Sequence, residues 1–350
     1  MDKIELLGMD IHDLEKLMTD MGEAPFRGRQ IHKWIYGRQE RDFAAMSDIP
    51  APVRVRLADA ACISIPTILQ TRVSVDGTRK FLMELSDGKT VECVVIPQGH
   101  YLKSKYTICI STQVGCPLGC DFCATGKSGF VRNLKGFEIV GQVLGASREL
   151  ARSLPGGRQS WLSNVVYMGM GEPMLNYDEV IKSLYVLLDP RGMNMGQRHI
   201  TISTSGDARG IKRLSKENLQ VNLAISLHAC DNELRSRLMP INQKYPLEKL
   251  MAAVNDYIKK VIADNVKMSG NNKIYIDNAK IGQINVLRTL IDKLEISNIT
   301  INKEENKFTA EINNNNVFLF TSSYIYYNDI FGGFSARIVD NDYLYSTLHD

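Results

Sequence analysis

Three cysteines lie within one eight-residue segment, Cys116-Pro-Leu-Gly-Cys120-Asp-Phe-Cys123. Thiolates are the ligands of iron–sulfur clusters, and a four-iron cluster normally takes four of them. Three local cysteines without a fourth nearby predict a cluster in which one iron is open to a small cofactor. The alternative is zinc, which in structural sites usually takes paired C-x2-C motifs or Cys/His mixtures. No second pair follows here, so the spacing favours a cluster.

The composition indicates a globular protein of a reducing compartment. A chain of 350 residues can bury one large core or two. It has seven cysteines, and its N-terminus, MDKIELLGMDIHDLEKLM, lacks the basic and apolar regions of a signal peptide. These features predict a cytoplasmic location with reduced thiols. We expect no membrane association, because no run of about 18 apolar residues is present. The net charge of +3 favours no particular partner.

The composition changes near residue 258. Residues 1–257 carry 32 basic against 28 acidic side chains, whereas residues 258–350 carry 10 against 11. The second segment is rich in Asn and Ile and has neither Cys nor Pro. We interpret it as a tail of different origin, with rapid divergence of a C-terminal region as the alternative. The predicted domains are a helical domain (1–60), a small antiparallel sheet (61–100), a core of alternating strands and helices (101–257) and the tail (258–350).

The N-terminal residues 2–60 are predicted to be helical, because apolar residues recur at spacings of three and four. Within them, PFRGRQIHKWIYGR is basic with interleaved aromatic residues. Its cations could contact nucleic-acid phosphates, and Trp34 or Tyr36 could stack on a base. The alternative, favoured by the segment alone, is a solvated helix face with Trp34 in the core. The cations concerned are Arg27, Arg29, Lys33 and Arg38.

Alternation of apolar and polar residues predicts strands over residues 62–97, with Asp-Gly hairpin turns at 75–78 and 86–89. From residue 107 onward the pattern becomes strand followed by helix, repeated four times. Such alternation predicts an α/β fold with a parallel sheet, and the apolar strands indicate helices on both of its faces. The strands are TICIST, NVVYMGMGEP, HITISTSG and VNLAISLHA.

Polar or metal-binding residues follow each of these four strands. They are the cysteine loop, Gly171-Glu172-Pro173, Ser203 with Ser205, and Ser226 with His228. In parallel α/β barrels the carboxyl ends of the strands form the active-site rim. Each group alone has an ordinary structural role, such as a turn or a core histidine. Together they predict one functional site at this rim.

Several segments of the chain resemble the dual-specificity RNA adenine-C2 methyltransferases, a family of radical S-adenosylmethionine (SAM) enzymes. The resemblance covers about residues 20–257 and is carried by FRGRQIHKWIY, VECVVIP, CISTQVGCPLGCDFCATG, VVYMGMGEPMLNY, ITISTSG and LAISLHA. It implies a partial or complete (β/α)6 radical SAM barrel, preceded by the helical domain and small sheet and followed by an atypical α+β tail. It also implies methylation of an adenine in 23S ribosomal RNA (rRNA) and of another in tRNA.

The resemblance assigns roles to individual residues. Cys116, Cys120 and Cys123 would hold a 4Fe-4S cluster whose open iron binds SAM. Glu92 matches the proposed proton acceptor, and Cys109 matches the cysteine that pairs with a methyl-carrying cysteine. Further positions match SAM contacts: Gly171, Glu172, Ser203, Ser226, Leu227 and His228.

Carbon 2 of adenine is electron-poor and does not attack SAM directly, so the cofactors must supply the difficult chemistry. In the family, one SAM methylates a C-terminal cysteine, and a second SAM yields a 5′-deoxyadenosyl radical that activates this methyl group. The implied partners are therefore 23S rRNA, tRNA and an electron donor such as a flavodoxin-type reductant.

The tail departs from the family pattern. Residues 258–350 contain no cysteine and no Gly-Asp-Asp-Ile-Asp-Ala-Ala-Cys-Gly-like segment. KIYID and NITIN could supply the fifth and sixth barrel strands, or the tail could form a separate α+β piece. Cys230 could lie near the site predicted at the strand ends, or it could be a half-buried residue that only fills space in the core. Two alternative functions follow: SAM cleavage without RNA methylation, or an inactive chimeric RNA-binding scaffold.

Overall fold

The computed structural model describes residues 3–98, 105–153 and 162–265 and six short strands between residues 273 and 338. These residues divide into two compact units. The first unit comprises described residues within 1–96, 106–115 and 130–200. The second comprises those within 97–105, 116–129 and 201–350. The four domain boundaries expected from composition remain a prediction.

The helices and strands are numbered along the chain. The α-helices are α1 (Ile11–Asp20), α2 (Phe26–His32), α3 (Ala51–Ala60), α4 (Ala124–Lys127), α5 (Gly136–Ser153), α6 (Tyr177–Leu188), α7 (Ala208–Leu214), α8 (Asn232–Leu238), α9 (Ile241–Lys244) and α10 (Leu247–Asn265). The strands of the region before residue 266 are β1 (Ile4–Glu5), β2 (Ala61–Cys62), β3 (Thr67–Val73), β4 (Arg79–Glu84), β5 (Thr90–Gln98), β6 (Lys105–Cys109), β7 (Gln113–Gly115), β8 (Phe130–Asn133), β9 (Leu162–Tyr167), β10 (Ile200–Thr204) and β11 (Asn222–Ser226). The later strands are β12 (Lys273–Asp277), β13 (Ile299–Glu304), β14 (Lys307–Ile312), β15 (Val317–Phe320), β16 (Ile325–Asn328) and β17 (Phe334–Ile338).

The N-terminal part of the first unit is helical, as predicted. Asp10 caps α1 by accepting the N–H of Asp13 at 2.8 Å. A π-helical turn, Lys33–Gly37, follows α2 directly. Trp34 and Tyr36 are 8% and 2% exposed, so both belong to the core. The suggestion that either ring stacks on a base is therefore wrong, because neither presents a face to solvent.

Strands β3, β4 and β5 form the predicted antiparallel sheet. Its turns contain Gly77 and Gly88, whose φ angles of 84° and 76° suit glycine. In the same unit β6 pairs in parallel with β9, with Cys109 opposite Val166. The amphipathic helix α5 packs against α6 beside them. The predicted strand–helix order of this region is confirmed.

The second unit contains the parallel pair β10 and β11, in which Thr204 is opposite Ile225. Both strands are apolar and mostly buried, as expected for strands covered by helices. Helices α7 and α10 pack against each other in this unit. The parallel arrangement aligns the carboxyl ends of β10 and β11 at one edge.

The tail adds strands to the second unit. Strand β15 pairs in parallel with β11. Strands β12 and β13 instead lie in a five-stranded sheet of order β13-β14-β12-β17-β16. KIYID and NITIN therefore do not supply the fifth and sixth barrel strands, since both pair in antiparallel fashion with β14. The pattern IGQINVLRTLIDKLEI predicts a helix over 281–296, and four consecutive asparagines predict a loop from Asn313 to Asn316. Both segments lie outside the described residues.

Within the described residues, no helix is both long enough and apolar enough to span a membrane.

Candidate functional site

The cysteine loop connects β7 to β8, and the loop itself belongs to the second unit. Main-chain hydrogen bonds shape it. The N–H of Cys116 donates to Gly129 O at 2.9 Å, and that of Cys123 donates to Cys120 O at 3.1 Å. The N–H of Asp121 donates to Leu238 O at 3.0 Å, which fixes the loop to the end of α8.

The three thiols of the loop lie in an apolar environment. Cys116 and Cys120 are buried and Cys123 is half-buried. Cys120 packs with Met239 and Ile241, and Cys123 packs against the same cluster. Among the described residues, no three Cys, His, Asp or Glu side chains converge as a metal-binding group. Three thiols on one loop nevertheless supply the donor chemistry that an iron–sulfur cluster requires.

His228 contacts the cysteine loop through Phe122. The centroids of the two rings are 4.4 Å apart. Burial, followed by the nearby charge of Arg235, lowers the pKa of His228 to about 4, so its imidazole is neutral at neutral pH. Its Nδ1 atom is buried and has no hydrogen-bond partner in the described part of the chain. A neutral imidazole with an unused nitrogen fits a polar cofactor at this position.

The carboxyl ends of β10 and β11 bring two predicted residues together. The hydroxyls of Ser203 and Ser226 are 3.4 Å apart, and both side chains are half-buried. Leu227 is fully buried, so it offers only its main chain to a ligand. His228 follows with a φ of 60°, a left-handed conformation that is uncommon for residues other than glycine.

Arg235 forms hydrogen bonds with the segments that follow both strands, and the sequence pattern did not indicate this role. Its side chain is fully buried. It donates hydrogen bonds to Leu227 O at 3.1 Å, Ser205 O at 2.6 Å and Asn242 Oδ1 at 2.7 Å. One guanidinium thus joins the segments that follow β10 and β11. No periodicity in α8 distinguishes Arg235 from exposed Arg237.

In the first unit, Gly171 and Glu172 form a tight turn against Gln113. Gly171 has a φ of 99°, and a Cβ there would lie 2.6 Å from Gln113 Cβ, so only glycine fits. The N–H of Glu172 donates to Gln113 Oε1 at 2.8 Å. The buried Glu172 carboxylate accepts the N–H of Met174 at 3.1 Å and so caps the following 3-10 turn.

Glu92 lies beside the same turn. Its main-chain carbonyl accepts a hydrogen bond from Ser111 Oγ at 2.6 Å, and Ser111 Oγ accepts the N–H of Met170 at 2.9 Å. Its carboxylate is half-exposed and lies 3.1 Å from Lys80 Nζ. The Ser111 hydroxyl thus links the main chain of Glu92 to Met170, the residue that precedes Gly171.

Cys109 ends strand β6 in the same unit. Burial raises the pKa of its thiol to about 12, so it is protonated at neutral pH. Burial likewise raises the pKa of Cys93, with a smaller contribution from Cys109.

Comparison with known proteins defines the class. The sequence model described as "Radical SAM superfamily" matches residues 110–270, which include the cysteine loop and strands β9 to β11. A solved structure titled "Crystal Structure of a radical SAM methyltransferase from Sphaerobacter thermophilus" is 36% identical, with a TM-score of 0.72 over 82% of each chain. The fold and the cysteine loop are those of a radical SAM methyltransferase.

Two further similarities define the family. The model described as "Ribosomal RNA large subunit methyltransferase N-terminal domain" matches residues 4–63. The "Probable dual-specificity RNA methyltransferase RlmN" of Syntrophomonas wolfei is 55% identical over 77% of this chain and 78% of its own length. The Moorella thermoacetica protein of the same name is 45% identical over 73% of this chain and 71% of its own. The chain belongs to the RlmN family of dual-specificity RNA methyltransferases.

Radical SAM proteins use a 4Fe-4S cluster and SAM, and both are the cofactors of this chain. The prediction of a cluster rather than zinc is thereby confirmed. The donor set of the cysteine loop and the unpartnered nitrogen of His228 fit these two groups.

Proposed function

We propose that this protein methylates C2 of an adenine in 23S rRNA and of an adenine in tRNA. One observation carries the proposal: an N-terminal domain of ribosomal RNA methyltransferases and a radical SAM domain occur together in this chain. The first indicates the substrate class and the second indicates the chemistry.

Cys116, Cys120 and Cys123 would hold the cluster. The hydrogen bonds from Cys116, Asp121 and Cys123 fix the loop main chain, and the apolar packing of Cys120 keeps water from that side of the loop. When bound, the cluster and SAM supply a 5′-deoxyadenosyl radical, which in the family activates a protein-bound methyl group.

The SAM contacts would come from strand-end residues. In the second unit, Ser203, Ser226 and His228 present hydroxyl and imidazole groups, and Leu227 presents its main chain. In the first unit, Gly171 and Glu172 would contribute through their tight turn, in which the Glu172 carboxylate caps the following 3-10 turn. Within the second unit, Ser203 and Ser226 lie on strands β10 and β11, which favours precise positioning of their hydroxyls.

Glu92 would accept the proton lost from C2 of adenine. Ser111 and Met170 fix its main chain, whereas its half-exposed carboxylate remains accessible beside Lys80. A positioned carboxylate of this kind can act as a general base once the substrate is within hydrogen-bond reach.

Cys109 would resolve the bond between the methylated base and the protein by forming a disulfide. Its raised pKa keeps it as a thiol at neutral pH, which slows unwanted oxidation, because the thiolate is the reactive form. This step requires a second thiol that carries the methyl group. Residues 258–350 contain no cysteine, so a thiol earlier in the chain, Cys230 first, would have to carry it.

The proposed partners are 23S rRNA, tRNA and a flavodoxin-type reductant, and the proposed location is the cytoplasm. The seven cysteines form no disulfide with one another, in keeping with a reducing compartment.

The deciding experiment is mass spectrometry of adenosines from rRNA and tRNA incubated with the anaerobically reconstituted protein, dithionite and SAM. The expected product is 2-methyladenosine. Glu92→Gln should reduce it by about 100-fold or more, since general-base catalysis contributes about 10²–10⁴-fold. Glu84→Gln, a change on neighbouring β4, is the matched control and should leave the yield unchanged.

Two other results are informative. Release of 5′-deoxyadenosine without 2-methyladenosine would assign SAM cleavage without RNA methylation. Neither product, despite a loaded cluster, would overturn the proposal and favour the scaffold alternative.

A further inference from the structure

Ser111 lies between Glu92 and the turn that contains Gly171, and all three belong to the first unit. It is fully buried, two residues beyond the end of β6. Its hydroxyl donates to Glu92 O at 2.6 Å and accepts the N–H of Met170 at 2.9 Å. A carbonyl can only accept and an amide N–H can only donate, so the direction of both hydrogen bonds is fixed. One hydroxyl group therefore joins strand β5 to the residue before Gly171.

Gln142 on α5 holds the main chain of Ser111. Its Oε1 atom accepts the N–H of Ser111 at 2.9 Å, and its Nε2 atom donates to Ser111 O at 2.9 Å. Gln142 is fully buried, and a reversed amide would place donor against donor and acceptor against acceptor at these two contacts. The two polar main-chain groups of Ser111 are thus both paired, which fixes the point from which its hydroxyl extends.

Glycine at position 169 permits the close approach of the turn to Ser111. The N–H of Gly169 donates to Ile110 O at 3.0 Å. A Cβ on Gly169 would lie 2.7 Å from Ser111 Oγ and 2.7 Å from Ile110 O, which is too close for any side chain. Substitution there would push the turn away from the hydroxyl, so the contact between Ser111 and the turn depends on this glycine.

We propose that Ser111 is a positioning residue for the methylation reaction, an inference that rests on the proposed function. Its hydroxyl sets the place of the Glu92 carboxylate relative to the turn proposed to contact SAM. Ser111 does not itself transfer a proton to the base, because it is fully buried and its proton is used in the bond to Glu92 O. It acts through Glu92, whose side chain extends from the main chain that Ser111 holds.

The magnitude follows from the demands of general-base catalysis. A base must lie within hydrogen-bond reach of the proton that it removes. A displacement of about 1 Å at a reacting group can lower a rate by about 100-fold. Loss of the Ser111 hydroxyl leaves Glu92 O and the N–H of Met170 without this partner, so both segments can shift.

The alternative is that Ser111 only stabilises the fold, as a buried hydroxyl with two hydrogen bonds does. Ser183 on α6 provides the matched control, because it is also fully buried in the first unit. Its hydroxyl lies 2.8 Å from the Tyr167 hydroxyl and donates to Val180 O at 2.7 Å. Removal of either serine hydroxyl deletes one atom and two hydrogen bonds, but only the Ser111 hydroxyl contacts Glu92.

The test compares Ser111→Ala with Ser183→Ala in the cluster-loaded, full-length protein with dithionite as reductant. Both changes should lower the urea midpoint by similar amounts. We expect Ser111→Ala to lower kcat for 2-methyladenosine formation by about tenfold or more, with KM for RNA within about twofold of its original value. Ser183→Ala should keep both constants. Ser111→Thr retains the hydroxyl and should therefore keep a higher kcat than Ser111→Ala.

A double-mutant cycle with Glu92→Gln separates positioning from stabilisation. Because Ser111 acts through Glu92, adding Ser111→Ala to Glu92→Gln should lower kcat by less than about twofold further. The full loss in that background would overturn the proposal, as would an effect on KM alone. An equal loss of kcat in Ser183→Ala, or in Ser111→Thr, would also overturn it.

Hydrogen exchange of the cluster-free protein gives a measurement that needs no turnover. The N–H of Met170 loses its acceptor in Ser111→Ala, so it should exchange about tenfold faster or more, whereas Ser183→Ala should leave it unchanged. Unchanged exchange at Met170 in Ser111→Ala would overturn the proposal. Absence of 2-methyladenosine from the unaltered protein would instead refute the proposed function, and the exchange rates would still decide whether Ser111 holds the turn.

Discussion

The guanidinium of Arg235 donates a hydrogen bond to the main-chain carbonyl of Leu227 at a distance of 3.1 Å. A second hydrogen bond, to Ser205 O, connects the same side chain with the residue after β10. Arg235 therefore fixes both strand ends from which Ser203, Ser226 and His228 are proposed to contact SAM. Burial lowers the pKa of Arg235 to about 10, so it still carries its charge at neutral pH.

We expect Arg235→Met to lower the free energy of unfolding by about 2–3 kcal/mol. Each buried acceptor left without a donor costs about 1–3 kcal/mol, and removal of a buried charge recovers part of this loss. Urea denaturation of the cluster-free protein measures the difference. Arg237→Met, two residues further along α8 and exposed, is the control and should change stability by less than about 0.5 kcal/mol. Equal effects of the two changes would contradict the role of Arg235.

Gly171→Ala should both destabilise the protein and weaken SAM binding. The new Cβ would lie 2.6 Å from Gln113 Cβ, in addition to the strain of a φ of 99°. Gly88→Ala is the control for backbone strain alone. Gly88 has a φ of 76°, but no atom lies within 4 Å of the added Cβ. We expect Gly171→Ala to cost about 1–3 kcal/mol more than Gly88→Ala, which is the range for overpacking. Calorimetric titration of the loaded protein with SAM should show weaker binding for Gly171→Ala alone.

The sequence predicted the strand–helix order because apolar strands and amphipathic helices alternate with clear periods. It also predicted the cysteine loop, since three thiols at this close spacing are typical of a metal or cluster site. It did not predict the position of Arg235, because a single buried arginine leaves no periodic signal. Nor did it predict the capping by Glu172 or the pairing of β15 with β11, because both depend on contacts made only in the folded chain.

Stability should depend on the protonation of His228. Its pKa is about 4 in the folded protein, against an ordinary value of 6.5. Between these values the unfolded chain binds a proton that the folded chain does not, so stability falls as the pH is lowered from 6.5 towards 4. The contribution of one such group approaches about 1.4 kcal/mol per pH unit.

The measurement is urea denaturation of cluster-free protein across this pH range. His228→Asn should reduce the slope of the unfolding free energy against pH by up to about 1.4 kcal/mol per pH unit. Asparagine is chosen because it tolerates the left-handed backbone conformation. His12→Asn is the control, since the side chain of His12 is 82% exposed. An unchanged slope in His228→Asn would show that His228 titrates normally.

The assignment of the cluster ligands predicts that Cys116→Ala abolishes the brown cluster absorbance after anaerobic reconstitution. Three thiols are needed to hold a cluster with one open iron, and the loop supplies no other thiol. The helical and strand content should remain, because main-chain hydrogen bonds of the loop persist without the sulfur. Cys62→Ala is the control, because Cys62 belongs to β2 in the first unit, outside the loop. Cluster iron that persists unchanged in Cys116→Ala, measured by iron analysis and absorbance, would refute the assignment.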